Sequence, residues 1–224
     1  MNKVINVAID GPAGAGKSTI SKAAAAKLGY IYIDTGALYR TVGLNALRKG
    51  ADVKDAESVV STLTDDLKIE LKFIDGEQRM FLCGEDVSKE IRTPEASMAA
   101  SAVSAVPEVR KYLFDLQKNL AASNNCIMDG RDIGTVVLPD ADVKIFLTAS
   151  PEARAKRRHL ELTEKGIETK YDDVLADMIE RDYNDSHRAI APLKKADDAV
   201  LADTSDINLE ESIELIISII EGKI

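Results

Sequence analysis

Hydrophobic and polar positions along the chain change period repeatedly, and the first change predicts a strand, a helix and a second strand. An apolar run at residues 4–9 precedes an alanine-rich helical segment at 17–28, which stops at Gly29, and a short apolar segment at 30–34 follows. Glycine commonly closes helices in the left-handed conformation. A strand, a helix and a strand in this order are typical of a parallel α/β sheet.

The rest of the chain extends this pattern. Three further apolar segments, at 126–129, 143–147 and 199–202, predict strands of the same sheet. Helical periodicity and start signals, such as Thr35 as an N-cap and Asn208 with Glu211 as a capping box, predict the helices between them. The predicted helices cover 36–49, 94–105, 107–122, a segment from 151, 171–185 (with Val174, Leu175, Met178 and Ile179 buried) and the C-terminal segment.

Between residues 67 and 82 the period becomes two. Leu67, Ile69 and Leu71 alternate with charged residues, and an Asp75-Gly76 turn precedes a second apolar segment. This pattern predicts an antiparallel hairpin. An antiparallel hairpin inside an α/β chain indicates an inserted lobe.

Composition and charge narrow the function classes. The chain has 224 residues, 45% hydrophobic residues and a formal net charge of −9, so we expect a folded domain that does not bind nucleic acid polymers or an anionic membrane. No apolar run has the length of a signal peptide or a membrane span, which predicts a cytoplasmic protein. Cys83 and Cys126 lie in apolar runs far apart, which predicts buried free thiols.

A glycine-rich segment joins the first strand to the first helix, and it has the spacing of a phosphate-binding P-loop. Its glycines let main-chain N–H groups surround an anion at the start of a helix. We expect the whole segment to bind the phosphates of ATP. Its residues are Gly11, Pro12, Ala13, Gly14, Ala15, Gly16, Lys17, Ser18 and Thr19.

The polar residues around this segment suit a nucleotide with magnesium. Lys17 can reach the outer phosphates, and the Ser18 hydroxyl can bind Mg²⁺. Asp34 and Asp129 end predicted strands, where ligands bind in open α/β sheets, so both are candidates for holding Mg²⁺ through water. A structural cap is the alternative for Asp129.

Several arginines have two interpretations from the sequence alone. Composition favours surface cations for Arg40 and Arg110 and a packing role for Ser101 in an Ala/Ser-rich helix. Arg40 lies one turn into its predicted helix, however, where its guanidinium could also reach over the cleft. Arg154, Arg157 and Arg158 share one helical face, which favours a lid that closes on phosphate over a solvated basic stripe. Residues 181, 185 and 188 form a charged stripe whose simplest interpretation is a surface ion-pair ladder. His159 and His187 lack the spacing of metal ligands.

Taken together, these segments resemble bacterial cytidylate kinases over nearly the whole chain. The P-loop is widespread among nucleotide-binding proteins, whereas the segments at 130–141 and 181–193 are specific to that family. The segments that carry the resemblance are residues 11–19, 34–40, 84–87, 130–141, and 181–193 with Arg181-Asp182, Asp185, Arg188 and Ala191-Pro192-Leu193.

The resemblance implies a fold and an activity. The fold would be a single P-loop kinase domain with a parallel sheet core, an inserted nucleoside-monophosphate-binding lobe near 36–106 and a short helical lid near 151–187. The activity would be transfer of the γ-phosphoryl group of ATP, with Mg²⁺, to CMP or dCMP in pyrimidine nucleotide metabolism. A monomer is expected.

The resemblance also implies roles for individual residues. Lys17, Arg131, Arg188, Arg157 and Arg158 would stabilise charge during transfer, and Arg40, Arg131 and Arg188 would bind the phosphates. Thr35 would contact CMP, Asp185 and Arg181 would contact the ribose, and Ser101, Arg110 and Asp132 would form the base pocket. Cytosine presents an N4 amino donor that a carboxylate accepts, whereas uracil presents an oxygen there.

The acceptor chemistry is consistent with this implication, but two alternatives remain. A phosphate monoester is largely dianionic at neutral pH, because its second pKa is about 6, so its transfer needs cations and no general base. A small P-loop kinase with a hydroxyl acceptor, such as a shikimate-type enzyme, would phosphorylate an alcohol and ignore CMP. A nucleotide switch would hydrolyse nucleotide without an acceptor; the sequence lacks a guanine-reading Asn-Lys-x-Asp segment.

Overall fold

The computed structural model describes residues 3–164 and 166–224, which form two compact units. The first unit comprises the chain up to Tyr32 and from Ala121 to Ile224; the second comprises Ile33–Leu120. The elements in chain order are β1 (Asn6–Asp10), α1 (Lys17–Leu28), β2 (Ile31–Asp34), α2 (Thr35–Arg48), α3 (Ala56–Val60), β3 (Ile69–Ile74), β4 (Glu77–Leu82), β5 (Glu85–Asp86), a 3-10 turn (Glu90–Arg92), α4 (Pro94–Val103), α5 (Pro107–Ser123), β6 (Cys126–Gly130), a π-helical turn (Ile133–Val137), β7 (Val143–Thr148), α6 (Pro151–Glu164), α7 (Tyr171–His187), β8 (Val200–Asp203) and α8 (Leu209–Glu221).

A five-stranded sheet in the order β2-β6-β1-β7-β8 organises the first unit, although β2 contributes only its first two residues to that unit. Strand β1 pairs in parallel with β6 on one side and with β7 on the other, and β7 pairs in parallel with β8. Parallel strands buried on both faces need apolar runs, which is what β1, β6 and β7 supply. The predicted parallel sheet is therefore confirmed.

Helices α1 and α8 cover the sheet of the first unit with apolar side chains. Ile20 packs in one core with Ile9 and Ile145 of the sheet and with Ile216 of α8. The predicted capping box at Asn208 and Glu211 starts α8. Burial of these branched side chains is the main stabilising contribution, at about 25 cal/mol for each Å² of apolar surface removed from water.

Helices α6 and α7 pack together through a smaller core of Ala155, Val174 and Met178. The predicted buried face of α7 is correct at Val174 and Met178, but Ile179 is 52% exposed. Ile179 follows Met178 by one residue, which turns its side chain about 100° away from the face that α6 covers.

The second unit holds the antiparallel strands in the order β3-β4-β5, so the predicted insertion of an antiparallel hairpin is confirmed. Asp75 and Gly76 both adopt positive φ, the geometry that a two-residue hairpin turn requires. Helices α2 and α4 approach closely where Gly43 faces Ala99, because a Cβ at Gly43 would lie 2.9 Å from the Ala99 Cβ.

Two local predictions in this unit are wrong. The N-cap of α2 is Asp34 and not Thr35: the Asp34 carboxylate accepts a hydrogen bond from the Ala37 N–H at 2.9 Å, so Thr35 is already helical. Both cysteines are free as predicted, but Cys83 is exposed and only Cys126 is buried. Cys83 has a positive φ just after β4 ends, and so it lies in a turn rather than in the apolar strand.

None of the helices among the described residues combines the length and apolar character that a membrane span requires.

Candidate functional site

The P-loop is shaped by its main chain. Gly11 directly follows β1, and a Cβ there would lie 1.9 Å from the carbonyl oxygen of Leu147, so only glycine fits between β1 and β7. Gly16 is the N-cap of α1 with φ 84°, in the left-handed region that favours glycine. The segment therefore turns directly into the start of α1, with Lys17 as the first helical residue.

The Lys17 ammonium lies inside this turn. It donates hydrogen bonds to the carbonyl oxygens of Gly11 at 2.7 Å and Pro12 at 2.8 Å. Burial, followed by the nearby positive charge of Arg131, lowers the pKa of Lys17 to about 7. A neighbouring anion would reverse this shift, because opposite charge favours the protonated form.

Asp129 lies in β6, beside the P-loop helix. Its buried carboxylate accepts hydrogen bonds from the Ser18 hydroxyl at 3.0 Å and from the Tyr32 hydroxyl at 3.1 Å. A serine hydroxyl next to a carboxylate is a donor set that fits Mg²⁺, which prefers oxygen ligands. The described residues contain no group of three or more His, Cys, Asp or Glu that could hold a metal ion alone, so a bound Mg²⁺ would also need phosphate oxygens and water.

A second polar segment leaves β6 after Gly130 and carries Arg131 and Asp132. The π-helical turn that follows was not predicted from the sequence. The carboxylate of Asp10, at the end of β1, accepts hydrogen bonds from the N–H groups of Ile133 and Gly134, each at 2.7 Å. Burial raises the pKa of Asp10 to about 6, against the opposing effect of these two hydrogen bonds.

Sequence reasoning missed Asp10 as a site residue. The available signal was a lone carboxylate placed between the buried Ile9 and the first glycine of the P-loop. An unpaired carboxylate is rarely buried, so this position required a partner.

Two ion pairs connect the Arg131–Asp132 segment to α7 and to Arg188, which directly follows it. The Arg131 Nε donates to the Asp185 carboxylate at 2.8 Å, and an Arg188 guanidinium N–H donates to the Asp132 carboxylate at 3.3 Å. Asp132 and Asp185 are both buried. Asp185 and Arg188 therefore do not form the surface ladder that their spacing also allowed, whereas Arg181 on the same helix is exposed.

Arg154, Arg157 and Arg158 lie on one side of α6, as their spacing predicts, but each has different partners. Arg154 is 2% exposed: it donates to the carbonyl oxygens of Ala149 and Ala13, each at 2.8 Å, and its guanidinium pairs with Asp182 of α7. This arginine therefore holds the P-loop to α6 and α7.

Arg157 and Arg158 have different surroundings. The Arg157 guanidinium donates to the carbonyl and hydroxyl oxygens of Thr204, and Arg158 is exposed and paired with Glu161 at 2.8 Å. A catalytic role for both stays a prediction.

A cavity of about 360 Å³ lies beside the P-loop in the first unit. It opens where β7 and β8 end, which is the edge at which α/β sheets bind ligands. Its lining combines basic, acidic and hydroxyl side chains with Pro12 of the P-loop. The lining residues are Pro12, Phe146, Thr148, Ala149, Ser150, Pro151, Arg154, Asp182, Ser186, Leu193, Lys194, Lys195, Asp203 and Ser205.

The second unit contains five predicted site residues: Asp34, Thr35, Arg40, Ser101 and Arg110. The Asp34 carboxylate both caps α2 and pairs with the Arg40 guanidinium at 2.7 Å, so its role with magnesium stays a prediction. Thr35 is buried at the start of α2.

The other two predicted residues lie on α4 and α5. The Arg110 guanidinium donates to the Ser104 carbonyl oxygen at 3.3 Å and lies 5.8 Å from the Tyr39 ring centroid, and Ser101 is exposed. Arg110 is therefore not a freely solvated surface cation.

Comparisons with known proteins identify a family for this chain. The family model described as cytidylate kinase matches residues 7–222. The chain is 51% identical over 217 residues to a cytidylate kinase of Caldicellulosiruptor saccharolyticus, covering 97% of this chain and 96% of the relative. It is 50% identical over 223 residues to a cytidylate kinase of Lactobacillus johnsonii, covering 100% and 96%.

Solved structures that resemble this chain show the same fold. The crystal structure of a gluconokinase from Sinorhizobium meliloti matches with a TM-score of 0.50 at 15% identity, covering 97% of this chain and 92% of that one. A likeness at this identity shows the shared sheet and helices only. Because the family model spans almost the whole sequence and half the residues are identical to those of named members, the chain belongs to the cytidylate kinase family.

Proposed function

We propose that this protein transfers the γ-phosphoryl group of ATP to CMP or dCMP, giving ADP and CDP or dCDP. The observation that carries the proposal is that the P-loop with Lys17 follows β1 and the segment with Arg131 follows β6, so both begin where neighbouring parallel strands end. Ligands bind at the carboxyl ends of the strands in such sheets. A phosphate-binding loop and a basic segment at this edge suit a site that receives two phosphate groups.

The P-loop would hold the donor. Residues 11–19 would surround the ATP phosphates with main-chain N–H groups, and Lys17 would leave its two carbonyl partners to contact the transferred group. Mg²⁺, bound by Ser18 and, through water, by Asp129, would neutralise phosphate charge. Arg157 and Arg158, in the proposed lid at 151–187, would add positive charge to the same phosphates.

The residues after β6, together with α7 and the Arg188 that follows it, would hold the acceptor. Arg131 would bind the CMP phosphate and Arg188 would reach the transferred phosphoryl group. Asp132 would accept a hydrogen bond from the cytosine amino group, and Asp185 with Arg181 would contact the ribose. Asp132 and Asp185 are already fixed by arginine partners, which lowers the entropy cost of using them.

Four more residues keep the roles towards CMP that the family resemblance implies: Thr35, Arg40, Ser101 and Arg110. The proposed lobe at 36–106 falls within the range Ile33–Leu120. The CMP phosphate needs no general base, because it is largely dianionic at neutral pH. We further propose a cytoplasmic monomer.

A coupled assay of ADP release tests the proposal. The acceptors are CMP, dCMP, UMP, AMP and shikimate, each with Mg-ATP, and a reaction without acceptor gives the background. We expect CMP and dCMP to accelerate ADP release strongly, with UMP and AMP much poorer.

Two other results would favour the alternatives. Acceleration by shikimate alone would indicate a kinase with a hydroxyl acceptor. Hydrolysis that no acceptor accelerates would contradict the proposal and favour a nucleotide switch.

A further inference from the structure

Asp10 is a buried carboxylate to which the proposed reaction gives no role. It is 4% exposed and ends β1, the central strand of the sheet. Its Cα pairs with Gly130 of β6 on one side and Phe146 of β7 on the other. The main chain at Asp10 is therefore fixed from both sides, whatever its side chain does.

The Asp10 side chain contacts the segment that follows β6. Its two carboxylate oxygens each accept one hydrogen bond at 2.7 Å, from the N–H groups of Ile133 and Gly134. A Cβ at Gly134 would lie 3.4 Å from the Asp10 oxygen, which is ordinary van der Waals contact, so the segment passes directly against this carboxylate. Hydrogen bonds to a charged acceptor are about twice as strong as neutral ones.

The segment that Asp10 holds begins where the sheet ends. Strand β6 stops at Gly130, and Arg131 and Asp132 follow it before the π-helical turn. Ile133 and Gly134 come directly after those two residues, so the carboxylate fixes the segment at the point where its polar side chains start. Asp132 raises the pKa of Asp10 and Lys17 lowers it, so both charges act on this carboxylate. Asp10 therefore lies near one residue proposed to bind the acceptor and one proposed to bind the donor.

We infer that Asp10 is a positioning residue that fixes Arg131 and Asp132 relative to Lys17. This inference rests on the proposed function. Without the carboxylate, the strand that carries the P-loop keeps its pairing on both sides, whereas the segment after β6 loses its two anchoring hydrogen bonds. Recognition of the acceptor should therefore suffer more than binding of the donor.

The test is Asp10→Asn, compared with the matched control Asp142→Asn. The asparagine keeps one acceptor oxygen but turns an NH₂ group towards a main-chain N–H. Asp142 accepts a hydrogen bond from the Asn6 N–H at 2.9 Å, at the other end of the same strand and away from the P-loop. Both variants exchange a carboxylate that holds a main-chain N–H for an amide.

Steady-state kinetics then separate the two substrates. For Asp10→Asn we expect KM for CMP to rise at least about tenfold and the ratio of CMP to UMP turnover to fall, with KM for ATP within about twofold. Asp142→Asn should leave all three values unchanged. An equal rise in KM for ATP and CMP, or no change in either, would overturn the inference.

A measurement on the unmodified protein decides the matter if Asp10→Asn does not fold. Amide hydrogen exchange, followed by NMR, should show strong protection at both Ile133 and Gly134 in the free protein. Exchange at the rate of a solvated loop at either amide would overturn the inference. If the unmodified protein does not accept CMP, the proposed function fails, and the exchange result still shows whether Asp10 holds the segment.

Discussion

The P-loop and the segment after β6 begin at the same edge of the sheet, but they are held in different ways. The P-loop is shaped mainly by main-chain geometry, since Gly11 and Gly16 are required by space and by φ, and Arg154 adds one side-chain contact to Ala13. The segment after β6 is fixed by side chains, through Asp10 and the ion pairs that Arg131 and Asp132 form with Asp185 and Arg188.

The difference follows from what each segment would recognise. Phosphate is bound well by main-chain N–H groups at a helix start, so a short glycine-rich motif suffices. A base is distinguished by side chains that present a donor or an acceptor at a fixed place, so those side chains need partners of their own. We infer that substitutions should separate donor binding from acceptor choice.

The largest effect is expected for Lys17→Met, which removes the one P-loop side chain whose charge the transfer needs. We expect kcat to fall about 10²–10³-fold, the cost of losing one donor aimed at developing charge. The measurement is the coupled assay with CMP. Lys27→Met changes an exposed lysine of the same helix and should leave kcat unchanged; a similar loss in both variants would contradict the role of Lys17.

A smaller effect is expected for Arg154→Met, which tests whether the main chain alone shapes the P-loop. This variant leaves the carbonyl oxygens of Ala13 and Ala149 without their donor, at about 1–3 kcal/mol for each buried group. We expect KM for ATP to rise about tenfold or more, with the CMP to UMP ratio preserved. Lys156→Met, an exposed change in the same helix, is the control. A changed CMP to UMP ratio would show that the two segments are not separable.

Asp132→Ala addresses the other side of the comparison. It removes the carboxylate proposed to accept from the cytosine amino group, and we expect discrimination of CMP over UMP to fall about tenfold. Binding of ATP should change less. Titration of the variant with an ATP analogue supplies the second value, and equal loss of ATP binding and of discrimination would count against the base pocket.

The smallest effect concerns protons. The pKa of Lys17 is about 7 in the folded free protein, well below its ordinary value of 10.5, so Lys17 is partly neutral at pH 7.5. Bound phosphates raise this pKa, and binding of an ATP analogue should therefore take up part of a proton, with affinity falling as pH rises from 7 to about 9. Calorimetry in two buffers of different ionisation enthalpy measures the uptake. Lys17→Met corrects for protons released by the nucleotide itself, and an identical uptake in that variant would contradict the prediction.

The sequence predicted most of the fold because its signals are local. Apolar runs, helix stops at glycine and the Asp75-Gly76 turn depend on neighbouring residues, and the structure confirms the elements that they predicted. The errors concern single residues at the end of an element, where neighbouring residues could each take the same role. The cap of α2 moved from Thr35 to Asp34, and Cys83 fell into a turn.

The contacts of the candidate site residues were harder to predict from the sequence. Helical spacing predicted that Arg154, Arg157 and Arg158 lie on one side of their helix. It did not show that Arg154 is buried and bonded to the P-loop and to α7. Asp10 gave no motif at all, because its partners Ile133 and Gly134 are more than a hundred residues away and contribute only main-chain N–H groups.

By itself, the sequence determined a parallel α/β sheet with an inserted antiparallel hairpin and a P-loop between the first strand and the first helix. Those features follow from periodicity and from glycine geometry, which are written into short stretches of chain. Only the tertiary structure decided which charges are paired and buried, such as Arg154 with Asp182 and Asp132 with Arg188. These ion pairs form because strands and helices that are distant in sequence meet at one edge of the sheet. No local sequence pattern specifies which of them meet.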